Sequence, residues 1–387
     1  MIATMRSAVQ PRARGPQLAL RLVFVLPVLA SLLSGIVGGL IRAGVTLPAS
    51  AGGSWVGPAV VAHAFLMICT FMGTVIGIER AVAVKHAQAF AGPLASGLAG
   101  VAMLLGAATA ACWLVVAASL TFVVVNVVVV RRQRAAHTVL LLVAAVAWAA
   151  GSVLYALEAQ DVAVVPWWFS FLVLTIAAER LEMTRLMRRR QGASLALYAI
   201  FGVMLTGAGL SAVTSTWGGA LYGLSLLSLS IWLLCFDIAR RTVRAHGLSR
   251  YMAICLLLGY VWLFVAGAAW MATSYGLSCR DAALHALALG FVFSMMLGHA
   301  PVILPAIARV KVLFGWGYYI PLVLLHGSLV WRLAAGHADF TALAAGAAGN
   351  AIAIGVFAAT VAGSAIAWRI KYPSPRTEQH HGVPASR

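Results

Sequence analysis

The sequence predicts an all-α polytopic membrane protein with twelve transmembrane helices and both termini in the cytoplasm. Its composition, the length of its apolar runs and the placement of its basic residues all lead to that prediction. Of the 387 residues, 63% are hydrophobic and only 9% are charged, whereas soluble domains carry about 25% charged residues. A soluble fold is therefore excluded.

Twelve apolar runs are long enough to cross a bilayer, which takes about 20 residues of α-helix. They lie near 19–41, 56–78, 90–109, 111–130, 136–156, 162–179, 194–213, 217–236, 251–274, 281–304, 316–334 and 344–368. The first run is too long for a signal-peptide core and is counted as a retained span. The predicted organisation is a cytoplasmic segment at 1–18, a membrane domain at 19–370 and a disordered cytoplasmic tail at 371–387.

The basic residues support the same count independently of hydropathy. When they are assigned to the loops between the twelve runs, all but three of the 27 Lys and Arg fall on one side. Basic loops stay in the cytoplasm, so both termini face it, and only Arg42, Arg280 and Arg332 remain for the other side. The formal net charge of +18 thus reflects topology, and the expected partner is the lipid bilayer, not nucleic acid.

The second, sixth and tenth runs resemble one another. The second and sixth end in Glu79-Arg80 and Glu179-Arg180, and the tenth begins with His285 as the second begins with His63. A pseudo-repeat of four-helix units would place these three helices in equivalent positions. The alternative is that the Glu-Arg pair occurs at the ends of two of these runs by coincidence.

His63 and His285 are the first candidates for a cofactor site, because an unpaired polar group in an apolar environment costs about 2–7 kcal/mol. With a rise of about 1.5 Å per residue, both fall in the outer half of the membrane, as does His326 on the eleventh run. Imidazole suits iron and copper, and thioether favours Cu(I). We therefore expect His63, His285 and His326 to bind a cofactor and Met67, one turn below His63, to add a metal ligand. The alternative is separate histidines that hydrogen-bond neighbouring helices, with methionine as filler.

A second polar group lies near the cytoplasmic face. Glu79-Arg80 and Glu179-Arg180, together with His299, form either a gate or structural ion pairs at helix ends. Pro301 and Pro305 predict that the tenth helix ends just after His299. No Asp, Glu, Lys or Arg lies in the middle of any predicted span, which disfavours an ion-coupled transporter.

Other signals are few. Trp167-Trp168, at an outer span end, is typical of an interfacial anchor, and the alternative is that the pair forms a wall of a cofactor site. The five cysteines are scattered without a Cys-x-x-Cys motif, and there is no P-loop, zinc-protease motif or nucleophile elbow. No catalytic residue is assigned, and whether the protein is an enzyme stays open.

Three stretches carry a resemblance to a known family. His63-Ala64-Phe65-Leu66-Met67 is similar to the HAHEM stretch of the NnrS family, His285-Ala286-Leu287 to its HAL stretch, and Leu297-Gly298-His299 to its LGH stretch. Those are bacterial inner-membrane proteins that contain haem and copper and are linked to nitric-oxide stress. The span layout also resembles the catalytic subunit of haem–copper oxidases, but the histidines which those enzymes use for copper on spans six and seven have no counterpart here.

The resemblance implies a function, with departures. His63, Met67, His285 and His299 carry over as metal ligands, whereas Phe65 and Leu66 replace a His and a Glu, so haem b is implied more strongly than copper. The implied role is in nitrosative stress or respiratory-enzyme support in the inner membrane, with respiratory-chain proteins as candidate partners. A permease for a small neutral or anionic solute is the alternative, and a structural membrane partner without a site is a third.

Overall fold

The computed structural model describes residues 14–46, 53–184, 191–307 and 310–373, and these are helical throughout apart from short connections. The α-helices in these ranges are α1 (Arg14–Arg42), α2 (Val56–Val61), α3 (Gly73–Val84), α4 (Ala91–Leu104), α5 (Ala108–Arg132), α6 (Ala136–Ala156), α7 (Asp161–Met183), α8 (Ala193–Leu210), α9 (Ser215–Phe236), α10 (Ala239–Thr242), α11 (Gly247–Ser274), α12 (Arg280–His285), α13 (Ser294–Ile307), α14 (Tyr319–Ala334) and α15 (Phe340–Lys371). Two π-helical segments, π1 (Phe65–Met72) and π2 (Ala286–Phe293), and two 3₁₀ turns, Ala87–Phe90 and Trp316–Tyr318, complete them.

The prediction of an all-α membrane protein is confirmed. The described residues contain eleven helices that are long and apolar enough to cross a membrane. They coincide with the first ten predicted runs and the last. Helix α14, at the eleventh predicted run, is 16 residues long, shorter than the roughly 20 residues of a complete span.

The second and tenth predicted spans share an unexpected architecture. In each, a short α-helix leads to a histidine, a π-helix of eight residues follows, and a longer α-helix completes the rod. The histidines are His63, two residues before π1, and His285, directly before π2. Such π-helices are rare and occur frequently at functional sites. Helix α7, the sixth span, has no π-helical segment, so the structure shows this likeness for two of the three spans in the predicted repeat.

Helix α7 lies between these two rods and contacts both π1 and π2. Sixteen of its residues are buried, as the almost uniformly apolar sequence of α7 would require. On the other side of π1, α1 packs against α2 and π1. Gly38 permits this approach, because a Cβ atom there would lie 2.1 Å from the carbonyl oxygen of Ala59.

The structure bears on three predicted boundaries: the end of the tenth span, the N-terminal segment and the C-terminal tail. The tenth span does not end after His299, because α13 continues through Pro301 and Pro305 to Ile307. Membrane helices tolerate proline where other groups bond the freed carbonyls. Helix α1 already begins at Arg14. The rest of the predicted 1–18 segment, and the predicted tail from residue 374 on, lie outside the described residues.

Candidate functional site

A cavity of about 770 Å³ lies between the two histidine-bearing rods. Its walls come from α1, α2, π1, α6, α7, α12, π2, α14 and α15. This volume lies within the range of about 300–1,000 Å³ that is usual for cofactor and ligand sites. The cavity's exposed charged lining residues, Arg42, Asp161 and Arg280, lie where α1 ends and where α7 and α12 begin, and we call this end of the bundle the histidine end.

His63 and His285 face each other across this cavity. Their ring centroids are 6.5 Å apart and their planes are inclined by 26°, although 222 positions separate them in the sequence. The structure therefore brings together the two histidines that the sequence predicted to meet. Each is partly buried and lines the cavity wall.

The His63 ring is held by α1. Its Nδ1 atom is 2.7 Å from the carbonyl oxygen of Gly35, and because a carbonyl can only accept, Nδ1 carries the hydrogen. The ring lies against Gly39, where a Cβ atom would come within 2.7 Å of the imidazole Cε1 atom. In the neutral ring Nε2 then holds a free lone pair, and no described residue hydrogen-bonds it.

The His285 ring is held by a carboxylate. Its Nδ1 atom is 2.9 Å from Oδ1 of Asp281, one helical turn earlier, so Nδ1 again donates. Asp281 in turn accepts two bonds from Arg332 on α14, 3.0 Å from Nε and 2.7 Å from Nη2. A carboxylate that fixes a histidine by its Nδ1–H and leaves Nε2 free is the usual arrangement behind a metal-ligating histidine.

The lower wall of the cavity is apolar and aromatic. Trp168 is only 2% exposed, lines the cavity and packs against Phe65 and Tyr155, with ring centroids 6.3 and 5.0 Å away. The expectation that Trp168 is an interfacial anchor is therefore wrong. Its ring instead closes the cavity towards α6.

Met67 also lines the cavity, and its sulfur packs against Gly35 on α1. It thus shares a wall with His63, as its position one turn further along the chain predicts. The structure therefore places Met67 in the cavity wall with its sulfur against α1.

His326 lies apart from the cavity. Its Nδ1 atom accepts a hydrogen bond of 2.7 Å from Nε1 of Trp262, which leaves the hydrogen of a neutral ring on Nε2. That atom is 3.4 Å from Oγ of Ser294. Both ring nitrogens therefore have protein partners, and the position of His326 gives no support to the predicted role as a cofactor ligand.

His299 belongs to a polar cluster at the opposite end of the same rods. Its Nδ1 atom donates to the carbonyl of Met295 at 2.7 Å, and its Nε2 accepts from Arg180 at 2.9 Å. Arg80 lies 3.4 Å from both Glu79 and Glu179. The structure thus joins the predicted gate residues with His299 and leaves His299 away from the cavity.

The sequence analysis missed the charged residues around the cavity mouth. Arg42, Arg280 and Arg332 all line the cavity, with Asp161 and Asp281. These arginines are the three that the charge pattern left on the minority side of the membrane. Their departure from that pattern was the available signal, since a charge against the topology rule needs another reason to be there.

The chemistry that this set allows is limited. The described residues contain no group of three or more His, Cys, Asp or Glu side chains that could hold a metal ion. Two imidazoles remain, in a cavity whose inner wall is apolar and aromatic, and such a pair suits a metal whose other ligands come from elsewhere. A macrocycle such as haem supplies such ligands itself.

Comparisons with known proteins identify one family. The model of a family described as Domain of unknown function (DUF8744) matches residues 21–366. That range includes every residue that lines the cavity. No curated protein and no solved structure matches the chain.

Proposed function

Because the chain belongs to the DUF8744 family, whose description assigns no activity, we propose a function from the geometry of the cavity. The protein binds haem b between His63 and His285 within the membrane. The observation that carries this proposal is the 6.5 Å separation of the two imidazole rings. Two imidazoles on opposite sides of one metal ion, each with a metal–nitrogen distance of about 2.0–2.1 Å, have ring centroids about 6 Å apart.

The surroundings of the two rings support the same proposal. Both Nδ1 atoms are bonded to oxygen, so the rings are pre-oriented and each offers Nε2 as a ligand atom. The cavity volume of about 770 Å³ is far larger than a bare metal ion requires. Its aromatic and aliphatic walls suit a flat, apolar macrocycle.

Copper is a secondary proposal that rests on Met67. A thioether and an imidazole on the same wall favour Cu(I). His299 and His326 are not included, because protein groups already occupy both nitrogens of each ring.

The proposed setting is a bacterial inner membrane, crossed twelve times, with both termini in the cytoplasm. The position of α14 supports the twelfth crossing. Arg332, near the end of α14, pairs with Asp281 at the start of α12, and Leu343, near the start of α15, lines the same cavity. Helix α14 therefore runs back to the cavity end of the bundle, and α15 starts from there. With α14 counted as a span, successive helices cross the membrane in opposite directions throughout.

The proposed physiological role follows the resemblance to the NnrS family, namely protection against nitrosative stress or support of respiratory enzymes. The pairs His63 with Met67 and His285 with His299 carry that resemblance. Of these four residues, His63, Met67 and His285 line the cavity and His299 does not. The role is therefore proposed for a haem-binding relative with fewer ligands than the NnrS family has.

The test is the visible absorption spectrum of the detergent-purified full-length protein from cells supplied with a haem precursor. We expect a Soret band that is lost in His63→Ala and in His285→Ala. His246→Ala is the matched control, because His246 is exposed in the loop before α11 and its removal should leave the band unchanged. A colourless wild-type protein that also leaves the absorption spectrum of added haemin unchanged would contradict the proposal.

A permease for a small neutral or anionic solute is the second candidate. The observation that favours it is the cluster of Arg80, Glu179, Arg180 and His299, which joins α3, α7 and α13 at the end opposite the cavity. A cavity open at one end and closed by ion pairs at the other is one state of an alternating-access transporter. A colourless protein whose unfolding temperature rises with one solute would favour this candidate over haem binding.

A further inference from the structure

Five charged residues line the cavity: Arg42, Arg280 and Arg332 with Asp161 and Asp281. Arg42, Arg280 and Asp161 are exposed and so mark its mouth, whereas Arg332 lies deeper, bonded to Asp281. These three arginines are also the only basic residues that the charge pattern places on this side of the membrane. The topology rule explains the other basic residues but not these.

The three arginines differ in how many of their guanidinium N–H groups already have a partner within the protein. Arg332 is 7% exposed and holds Asp281 with two hydrogen bonds. Arg280 has a single 3.3 Å contact with Asp161, and both side chains are at least half exposed. Arg42 donates only a 3.3 Å bond to the carbonyl of Val60, and no described carboxylate pairs with it.

The position of Arg42 relates it to the histidines. It lies three residues after Gly39, which packs against the His63 ring, so it is about 4.5 Å further along α1 towards the mouth. Arg280 is five residues before His285, about 7.5 Å along α12 in the same direction. The backbone positions of Arg42 and Arg280 therefore lie about one to one and a half helical turns further towards the mouth than the histidine layer.

We infer that the occupant of the cavity carries carboxylate groups and that Arg42, with Arg280 beside it, binds them at the mouth. This inference rests on the proposed function and makes it more specific: Arg42 and Arg280 would hold the two propionates of a bound haem at the histidine end, and Trp168 would contact its apolar part. An arginine fork matches a carboxylate and can bond it with two parallel N–H groups. The apolar inner wall and the cationic mouth each suit one part of such a molecule.

The experiment compares two porphyrins on the same detergent-purified protein. Haemin, which has two free carboxylates, and haemin dimethyl ester, in which both are blocked, are each titrated into the protein freed of ligand, and Kd is read from the Soret change. We expect the wild type to bind haemin at least about tenfold more tightly than the ester, the ratio for one charge-assisted hydrogen bond. This comparison needs no variant and so does not depend on whether a variant folds.

Variants then assign the effect to a residue. Arg42→Gln should bind haemin about tenfold more weakly and discriminate less between the two porphyrins, and Arg42→Lys should retain part of the preference. Arg240→Gln is the matched control, because Arg240 is also exposed and also donates one bond to a backbone carbonyl, that of Cys235. It should behave as the wild type does.

The outcomes separate the two proposals. Equal affinity for haemin and its ester, or unchanged haemin affinity in Arg42→Gln, overturns the role of the mouth and leaves the haem site standing. If the wild-type protein changes the Soret band of neither porphyrin, both the haem site and the role of the mouth are overturned.

Discussion

The same rods carry histidine and arginine at both ends, but the protein uses them differently. At the histidine end, His63 and His285 each have one nitrogen bonded to an oxygen and the other without a described partner. At the opposite end, both nitrogens of His299 are bonded, one of them by Arg180. The two ends thus have the same residue types, but the histidines differ in how many of their ring nitrogens are hydrogen-bonded.

This difference teaches how to read polar residues in a membrane helix. Imidazole within apolar surroundings is expensive unless something bonds it. The cluster of Glu79, Arg80, Glu179, Arg180 and His299 meets that cost within the protein. At the histidine end each imidazole has only one bonded nitrogen, and a cavity lies beside the rings. A ligand can therefore bind at this end.

The largest expected effect is that of Asp281→Ala. The substitution removes the partner of buried Arg332 and the carboxylate acceptor of the His285 Nδ1–H, so that Nδ1 keeps only the backbone carbonyl of residue 281, 3.1 Å away. Breaking a buried ion pair costs about 3–5 kcal/mol, and since the Asp281 side chain is 39% exposed, we expect the lower value, about 3 kcal/mol. Loss of the orienting carboxylate should also weaken the binding of haemin by about 10–100-fold. Thermal unfolding in detergent and a Soret titration measure the two effects.

Asp161→Ala is the control for that variant. It also removes a carboxylate from the cavity mouth, but its contact with Arg280 joins side chains that are 70% and 50% exposed. Such a pair is worth about 1 kcal/mol or less. Equal destabilisation by the two substitutions would show that the buried pair of Asp281 and Arg332 stabilises the protein no more than the exposed pair of Asp161 and Arg280.

Gly39→Ala has the next largest expected effect. The new methyl group would lie 2.7 Å from Cε1 of His63, so the ring must move and its bond to Gly35 must loosen. Overpacking of this kind costs about 1–3 kcal/mol, and the displaced ring should bind haemin more weakly. Gly57→Ala is the matched control, because a Cβ atom there meets nothing within 4 Å. An unchanged Soret titration in Gly39→Ala would mean that α1 does not position His63.

Sequence reasoning reached the fold and the central pair of the site. Hydropathy locates long helices because a bilayer demands about 20 apolar residues in each, and it placed eleven of them correctly. Helical rise alone put His63 and His285 at similar depth, and the structure brings their rings together. Their role as ligands stays a prediction.

The remainder depends on contacts that no local pattern encodes. The π-helical segments have the same apolar composition as the α-helices around them, so hydropathy does not distinguish them. The pair of Arg332 and Asp281 depends on how α14 packs beside α12, across 51 positions of sequence. Trp168 has the position of an interfacial anchor in the sequence, and only the packing of α6 against α7 buries it.

The smallest expected effect, and the most discriminating, is that of His299→Gln. A glutamine oxygen can accept the bond from Arg180 in place of Nε2, and its amide can donate to the carbonyl of Met295, so we expect a loss of about 1 kcal/mol or less. His299→Ala, which leaves buried Arg180 without this acceptor, should cost about 1–3 kcal/mol. Because His299 lies outside the cavity, haemin should bind both variants as it binds the wild type. Loss of the Soret band in His299→Gln, with the fold intact, would make His299 a ligand after all, and the two ends of the bundle would then be one site.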